Sequence, residues 1–327
     1  MNSFFINSNN QKQFDKDGFL KLEIPLLNEK EIHQLTTFFY SSGLQQTEDF
    51  DVSKDHVDKD KVNEMMQIIE QIVLPKLNIY IKSAELFIAS FLVKSPSKSN
   101  AIYPHQDETF VDDNINFSVN CWIPLVDTGV NNGCIGMIKG SHTIFNNICP
   151  TPASVSPSPL LEYYNLLIPY IEWIPVKAGE AILFNYKTVH ASMPNLSNEP
   201  RIAISLWVAE KNSKYFTNYL KPGTTNKLLK YEIDRAFYVK FSDKILSEMY
   251  NANKFLEDYK LVQEDNYIWK KLIMEELEGQ LIIGDNNYNK NNLLYFSGNI
   301  NTKKSFKDLL LNIYSSCIRF LFNKNVN

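Results

Sequence analysis

The stretch Tyr103-Pro-His-Gln-Asp-Glu-Thr-Phe110 contains the pair of residues around which the predicted fold is organised. His105 and Asp107 are two positions apart, and on an extended strand they point to the same side because side chains alternate with a period of two. A third candidate ligand, His190, stands far downstream in Tyr186-Lys-Thr-Val-His-Ala-Ser192. Two histidines and one carboxylate form the facial triad of non-haem iron(II) oxygenases, which leaves three coordination positions open for reactants. These three residues are therefore the predicted metal ligands and catalytic residues.

Short strands separated by turns flank this stretch on both sides. Apolar or alternating runs typical of strands occupy residues 85–94, 116–125, 134–138, 172–184 and 201–208. Many short strands with regular turns indicate an antiparallel sandwich or barrel, and a jelly roll fits the pattern. In a small barrel, opposed strands bring distant parts of the chain together, so that His105 and His190 can meet.

Helices are predicted before this β region, so the fold class is mainly β with flanking helices. Asn28 is an N-cap candidate with Glu31 at the capping-box position, and the helix that they begin should end near Tyr40. A second helix is predicted from Val62 to about residue 83, with an interruption near Pro75.

Three regions follow from these patterns. They are a polar, flexible N-terminus at residues 1–13, a jelly-roll (double-stranded β-helix, or cupin) domain at 14–210, and a mixed helical C-terminal extension at 211–327 that packs on or covers the core. Helices within the extension are predicted at residues 253–262, 267–277 and 305–321. The acidic run at residues 41–60 predicts a solvated loop, with a mobile flap over a site as the alternative.

Composition narrows the class of protein. Of 327 residues, 44% are apolar, which is enough for a sizeable core, and the net charge of -4 argues against a nucleic-acid binder. No apolar run reaches the ~18 residues that span a membrane, and the N-terminus lacks a signal-peptide pattern, so a cytoplasmic location without a membrane partner is expected. None of the cysteines is in a CxxC pair, and free thiols are therefore expected at Cys121, Cys134, Cys149 and Cys317.

The residues that follow His190 form a candidate site for an anion. Arg201 stands eleven residues after His190, at the start of a strand that should neighbour it. A guanidinium in that place can hold a carboxylate through two parallel hydrogen bonds. Ser192 lies two residues beyond His190 and can add a hydroxyl donor.

Taken together, these motifs resemble the phytanoyl-CoA dioxygenase-like family of iron(II)/2-oxoglutarate oxygenases. The matching pieces occur in family order between about residues 14 and 209. They are Phe14-Asp-Lys-Asp-Gly-Phe19, His105-Gln-Asp107, Cys121-Trp-Ile-Pro-Leu125, Asn132-Gly133 with Gly140-Ser-His142, Gly179-Glu-Ala-Ile-Leu-Phe184, and His190 through Arg201.

The resemblance implies a double-stranded β-helix with Fe(II) held by the three predicted ligands. It also implies 2-oxoglutarate as co-substrate, with its far carboxylate on Arg201 and Ser192, and with Lys94 and Asn120 on strands that line the co-substrate pocket. The implied reaction uses O2, releases succinate and CO2, and hydroxylates an unactivated C–H bond. Halogenating relatives replace the carboxylate ligand with a small residue, so Asp107 favours hydroxylation, although desaturation and cyclisation use the same triad.

Several alternatives stay open at this point. The substrate is expected to be a small molecule, free or tethered to a carrier, and the oligomeric state is undetermined. A cupin-fold metal protein without 2-oxoglutarate turnover and a non-catalytic scaffold are competing hypotheses. His142 is interpreted as structural rather than catalytic. Glu108, Asp112 and Asp113 are interpreted as a solvated loop, with contact to a cationic substrate as the alternative.

Overall fold

Helices precede and follow the β region along the chain. The computed structural model describes residues 3–45, 49–55, 58–112, 116–145, 148–155, 158, 160, 163–267, 280, 281 and 284. The α-helices are α1 (Ser8–Asp17), α2 (Glu29–Ser41), α3 (Lys59–Leu77), α4 (Ser141–Ile144), α5 (Tyr164–Leu167), α6 (Phe237–Lys240) and α7 (Asp243–Asn251). The predicted capping box of α2 is confirmed, because Asn28 and Glu31 each accept a hydrogen bond from the other's backbone N–H. Pro75 lies in the last turn of α3, and the helix ends sooner than predicted.

In the described part of the chain, the strands form three antiparallel sheets. The strands are β1 (Phe19–Lys21), β2 (Phe50–Val52), β3 (Ala84–Lys94), β4 (Ile102–His105), β5 (Ser118–Pro124), β6 (Ile135–Met137), β7 (Glu172–Ile174), β8 (Ile182–Phe184), β9 (His190–Ser192), β10 (Arg201–Glu210), β11 (Tyr215–Leu220), β12 (Lys227–Ile233) and β13 (Lys260–Asn266). The first sheet has the order β1-β8-β5-β10-β3-β2, the second β4-β9-β6-β7, and the third β11-β12-β13.

The first two sheets form the predicted jelly roll. From β4 to β10 the chain passes back and forth between them, with β5, β8 and β10 in the first sheet and β4, β6, β7 and β9 in the second. Side chains from both sheets share one apolar cluster, in which Trp122 and Phe184 of the first sheet pack with Ile135 and Ile174 of the second. Burial of these apolar side chains favours the packing of the two sheets against each other. The strands that carry the predicted site residues therefore lie on opposite walls of the space between the sheets.

The N-terminus differs from the prediction of a loose segment. Helix α1 begins at Ser8, and Phe4, Phe5 and Phe14 are buried in the main core. The prediction relied on the polar composition of residues 1–13 and gave too little weight to the aromatic side chains, whose burial stabilises the segment. Helix α1 ends at Gly18, whose φ of +82° favours glycine and whose Cβ, if present, would lie 2.5 Å from His142 Nδ1. His142 therefore packs against the end of α1, and its interpretation as structural rather than catalytic stays a prediction.

Residues 49–55 are not the solvated loop that the acidic composition predicted. Strand β2 pairs with β3 at the edge of the first sheet, with Phe50 opposite Lys94 and Val52 opposite Leu92. Asp51 is buried despite its charge. A 3-10 turn at Ser53–Asp55 continues the strand. The segment is thus part of the sheet and of its wall.

The described part of the C-terminal extension packs on the jelly roll. The ring of Tyr215 on β11 stacks on Phe87 of β3 with the centroids 4.0 Å apart. The helix predicted at residues 253–262 is wrong, because Asn253 adopts a positive φ of 53° and the chain then pairs with β12 as strand β13. Beyond Tyr267, the helices predicted at residues 267–277 and 305–321 lie outside the described residues.

Two predictions on bulk properties can be compared with the structure. The free-thiol prediction is confirmed for Cys121, Cys134 and Cys149, whereas Cys317 lies outside the described residues. Within the described part of the chain, no helix combines the length and the apolar character that a membrane crossing requires.

Candidate metal centre

The fold brings the three predicted ligands together. Strands β4 and β9 pair antiparallel with His105 directly opposite His190. Asp107 follows β4, and its backbone N–H donates to Tyr186 O at 2.9 Å, which holds the carboxylate beside β9. Asp107 Oδ1 lies 3.8 Å from His105 Nε2 and 3.5 Å from His190 Nε2. One ligand atom from each residue therefore lies within 4.8 Å of the others, a spacing that one metal ion can bridge.

Backbone carbonyls orient both imidazole rings. His105 Nδ1 donates to Tyr103 O at 2.8 Å, and His190 Nδ1 donates to Thr188 O at 2.9 Å. A carbonyl oxygen only accepts, so each neutral ring carries its proton on Nδ1 and presents the Nε2 lone pair to the centre. This outer bond is the one that metal-bound histidines typically make, and it fixes the tautomer that a metal needs.

The pKa values of the three side chains are shifted by their mutual contact. Burial, together with the neighbouring His190, lowers the pKa of His105 to about 4. Burial would raise the pKa of Asp107, but the charge of His190 and its hydrogen bond outweigh burial and lower that pKa to about 2. Burial likewise opposes protonation of His190, yet Asp107 outweighs it and raises the His190 pKa. The carboxylate is thus ionised, and a cation at this point would compete with a proton for His190 Nε2.

Arg201 lies in the same cavity and has an unpartnered donor. Its side chain is 3% exposed, and one terminal nitrogen donates to Leu92 O at 3.1 Å. Its Nε is buried without a hydrogen-bond partner. Burial lowers the pKa of the guanidinium to about 10, so the group stays charged at neutral pH. A buried cation with an unpaired N–H fits an anionic ligand such as the far carboxylate of 2-oxoglutarate.

The other predicted co-substrate contacts divide into two groups. Ser192 and Asn120 line the cavity together with Arg201. Lys94 lies behind the wall rather than in it, since its fully buried Nζ donates to Met193 O at 2.6 Å. The pairing of β3 with β10 explains this position, because it places Lys94 opposite Arg201 with its ammonium against the β9 backbone. Lys94 therefore braces the wall around Arg201.

The cavity has a volume of about 260 Å³. Some of the residues that line it were not predicted as site residues from the sequence. Phe50, Val52, Lys54 and Asp55 line it from the 50–55 segment. The alternation of Phe50 and Val52 was a signal for a strand there, but the surrounding acidic residues outweighed it. Ser205 also lines the cavity, and its period-two spacing from Arg201 could have placed it on the same face.

The acidic residues after Asp107 contact the C-terminal extension. The Tyr238 hydroxyl donates to Glu108 Oε2 at 3.3 Å, and burial, with Asp243 nearby, raises the pKa of Glu108 to about 8. Asp112 forms an ion pair with Lys230 at 3.2 Å. The solvated-loop interpretation is therefore wrong for Glu108 and Asp112, whereas Asp113 lies outside the described residues.

Three comparisons describe what the chain resembles. Residues 14–203 match the family model described as Phytanoyl-CoA dioxygenase (PhyH). The chain is 28% identical over 167 residues to phytanoyl-CoA dioxygenase domain-containing protein 1 of Rattus norvegicus, across 46% of this chain and 56% of that protein. It is 31% identical over 127 residues to phytanoyl-CoA dioxygenase of Arabidopsis thaliana, across 37% of this chain and 43% of that protein. The match thus spans about half the length of these curated relatives.

Among solved structures, the fold resembles that of the non-heme alpha ketoglutarate dependent carbocyclase SnoK from nogalamycin biosynthesis. The TM-score is 0.49 at 16% identity, across 67% of this chain and 89% of that chain. The family match covers more than half of the 327 residues and includes the three predicted metal ligands and Arg201. This chain belongs to the phytanoyl-CoA dioxygenase family.

Proposed function

We propose that this protein is an Fe(II)- and 2-oxoglutarate-dependent dioxygenase that hydroxylates a C–H bond of a small molecule. One observation carries the proposal: two histidines, a carboxylate and a buried arginine with an unpartnered Nε line the same cavity. The triad suits divalent iron, and the arginine suits the far carboxylate of a keto acid. Asp107 suits a metal ion, and Arg201 suits an anionic co-substrate. A scaffold or a simple metal cupin does not require both residues.

Each side chain has a defined part in this proposal. The Nε2 atoms of His105 and His190 and one oxygen of Asp107 would hold Fe(II). Arg201, with Ser192 beside it, would orient 2-oxoglutarate. Iron with 2-oxoglutarate supplies the oxidising chemistry: O2 and 2-oxoglutarate are consumed, one oxygen atom enters the C–H bond of the substrate, and succinate and CO2 leave.

The apolar part of the cavity would keep water away from this chemistry. Trp122, Ile135 and Phe184 line the cavity around the polar residues. The ring of Phe184 lies 4.8 Å from that of His190, between centroids, and so shields one side of a ligand. A dry environment strengthens the electrostatic interactions of Arg201 and prevents side reactions of the reactants.

The cavity size bears on the substrate. Its volume of about 260 Å³ is below the range of roughly 300–1,000 Å³ that is typical of sites enclosing drug-sized ligands. Once 2-oxoglutarate is bound, the remaining space suits a small molecule or one end of a longer one. The substrate is thus a small molecule or a short group carried on a larger partner.

Absorbance and product formation test the proposal. Anaerobic protein with Fe(II) should develop a visible charge-transfer band when 2-oxoglutarate is added, and admission of O2 should yield succinate. His105→Ala should abolish both signals, because it removes one of the two imidazole ligands. Metal binding without any response to 2-oxoglutarate would favour a metal cupin instead. With a substrate in hand, a product that gains one oxygen atom supports hydroxylation, and one that loses two hydrogen atoms indicates desaturation or cyclisation.

A further inference from the structure

A chain of two hydrogen bonds stands behind the carboxylate of Asp107. Asn120 Nδ2 donates to Asp107 Oδ2 at 2.8 Å. The hydroxyl of Ser205 donates to Asn120 Oδ1 at 2.7 Å. Asn120 is 4% exposed, and it lies on β5 next to the strand that carries Ser205. The three side chains thus form one relay from the sheet to the candidate metal centre, with Asn120 buried and Asp107 and Ser205 partly buried.

The chemistry of the groups fixes the direction of both bonds. An ionised carboxylate accepts hydrogen bonds and donates none, so the amide of Asn120 must turn its N–H toward Asp107. Its oxygen then faces Ser205, which must donate its hydroxyl hydrogen. The opposite orientation of the amide would place two acceptor oxygens in contact, which is unfavourable in a buried site.

The two carboxylate oxygens of Asp107 make different contacts. Oδ1 faces the two imidazoles, at 3.8 Å from His105 Nε2 and 3.5 Å from His190 Nε2. Oδ2 is turned away and is occupied by Asn120. A rotation of the carboxylate that brought both oxygens to the centre would break the bond to Asn120 and leave a buried amide N–H without its acceptor.

From this geometry we infer that Asn120, supported by Ser205, is a positioning residue that holds Asp107 as a ligand through a single oxygen. The inference rests on the proposed function for the identity of the metal, and it assigns Asn120 to the metal centre rather than to the co-substrate contact that the family resemblance implied. A carboxylate that bound through both oxygens would take one of the three positions needed by the reactants. Asn120 and Ser205 thereby keep those positions open.

Metal affinity, measured without turnover, tests the inference. Calorimetric titration of the metal-free protein with Mn(II) would compare the wild type with Asn120→Ala, Asn120→Leu and Ser205→Ala. We expect the dissociation constant for Mn(II) to rise about 10- to 100-fold in both Asn120 variants, the usual effect of losing an outer partner of a metal ligand. Ser205→Ala should raise it about 3-fold, since it removes a bond to the partner and not to the ligand. Leucine matches asparagine in size and keeps the site filled.

Thermal unfolding of the metal-free proteins separates positioning from folding. Thr128→Val is the matched control, because Thr128 is buried and its hydroxyl donates to Val176 O away from the cavity. It should lower the melting temperature and leave the Mn(II) affinity unchanged. If a well-folded Asn120 variant binds Mn(II) as the wild type does, or if Thr128→Val weakens binding equally, the inference is overturned.

The outcomes also distinguish this inference from the proposed function. An Asn120 variant with unchanged Mn(II) affinity and weakened 2-oxoglutarate binding would return Asn120 to the co-substrate site and leave the proposed function intact. A wild-type protein that binds Mn(II) but not 2-oxoglutarate would overturn the proposed function, while the Mn(II) titrations would still decide the role of Asn120. If the Asn120 variants do not fold, Ser205→Ala decides the matter by its own predicted rise.

Discussion

The cavity has two walls that are built in different ways. One wall holds His190, Ser192, Arg201 and Ser205 on strands β9 and β10, which belong to different sheets of the jelly roll. The other wall is the 50–55 segment, a short edge strand of the first sheet followed by a 3-10 turn. The strand-built wall carries the candidate metal and co-substrate ligands, whereas the 50–55 segment carries none of them.

The 50–55 segment depends on distant parts of the chain for its position. The backbone N–H of Lys54 donates to the Ser90 hydroxyl at 2.9 Å. The Lys54 ammonium pairs with Asp55 at 2.8 Å and lies 5.9 Å from the ring centroid of Tyr238, which belongs to the C-terminal extension. Strand pairing within the sheets thus positions the candidate ligands, whereas the position of the 50–55 segment also depends on contacts with the C-terminal extension.

The largest expected effect lies on the strand-built wall, at Arg201. Arg201→Ala should raise the dissociation constant for 2-oxoglutarate about 100-fold, because loss of one partner of a buried charge pair costs about 2–5 kcal/mol. Titration of 2-oxoglutarate into the anaerobic Fe(II) protein, followed by absorbance, measures the change. Arg201→Lys keeps the charge but loses the planar fork, and it should restore only part of the affinity. An equal loss of Mn(II) affinity in Arg201→Ala would contradict the division of roles within this wall.

In the 50–55 segment, Lys54→Met should lower stability without affecting the candidate ligands. The substitution removes the ammonium from a group of acidic residues, namely Asp55, Glu108 and Asp243. We expect a loss of roughly 1–2 kcal/mol of unfolding free energy, below the value for a fully buried pair because Asp55 is partly exposed to solvent. Denaturant unfolding measures the loss, and Lys54→Arg should recover most of it. The affinities for Mn(II) and 2-oxoglutarate should stay within about 2-fold of the wild type, since the Lys54 ammonium pairs with Asp55 and not with a candidate ligand. A change as large as that of Arg201→Ala would show that the two walls are not separate.

The same contrast explains what could be predicted from the sequence. His105, Asp107, His190 and Arg201 lie in one cavity, as expected, because strand patterns and short motifs can be recognised in the sequence; their roles as ligands stay predictions. The capping box of α2 and the jelly roll were predictable for the same reason. The 50–55 segment was not, because the burial of Asp51 arises from pairing with β3 and has no signature in its own composition.

The contacts of individual side chains were also difficult to predict from the sequence. Lys94 was expected to line the co-substrate pocket, but its position depends on register, which places it opposite Arg201 with its ammonium behind the cavity wall. Asn120, opposite Trp207, does line the cavity, and its contact with the co-substrate stays a prediction. A shift of one residue would reverse the face of every side chain, so sequence alone does not fix such contacts. The helix predicted at residues 253–262 failed similarly, because strand pairing with β12 overrode local helical propensity.

A smaller effect, dependent on pH, is expected at Asp243, which lies near the 50–55 segment on the extension side. Burial, and after it the nearby Asp55, raises the pKa of Asp243. A raised pKa in the folded state contributes stability that is fully present below the unfolded value and is lost as the pH rises through the folded value. Asp243→Asn should therefore gain melting temperature relative to the wild type as the pH rises from 4 to 8. Asp234→Asn, at an exposed position of the same extension, serves as the control. A stability difference for Asp243→Asn that did not vary with pH would contradict the expectation.

The smallest effect is expected in the helical layer, outside both walls. Glu31 accepts a hydrogen bond from the Asn28 backbone at 2.9 Å and pairs with Lys76 of α3 at 3.0 Å. Glu31→Ala should cost about 1 kcal/mol, the usual value for a lost cap, and lower the melting temperature by a few degrees. Glu31→Gln can keep the capping box while losing the charge, so it should retain most of the stability. Calorimetric scans of both variants measure this, together with Mn(II) titrations that should match the wild type. A weaker Mn(II) affinity in Glu31→Ala would mean that the helical layer, and not strand pairing alone, holds the metal ligands in place.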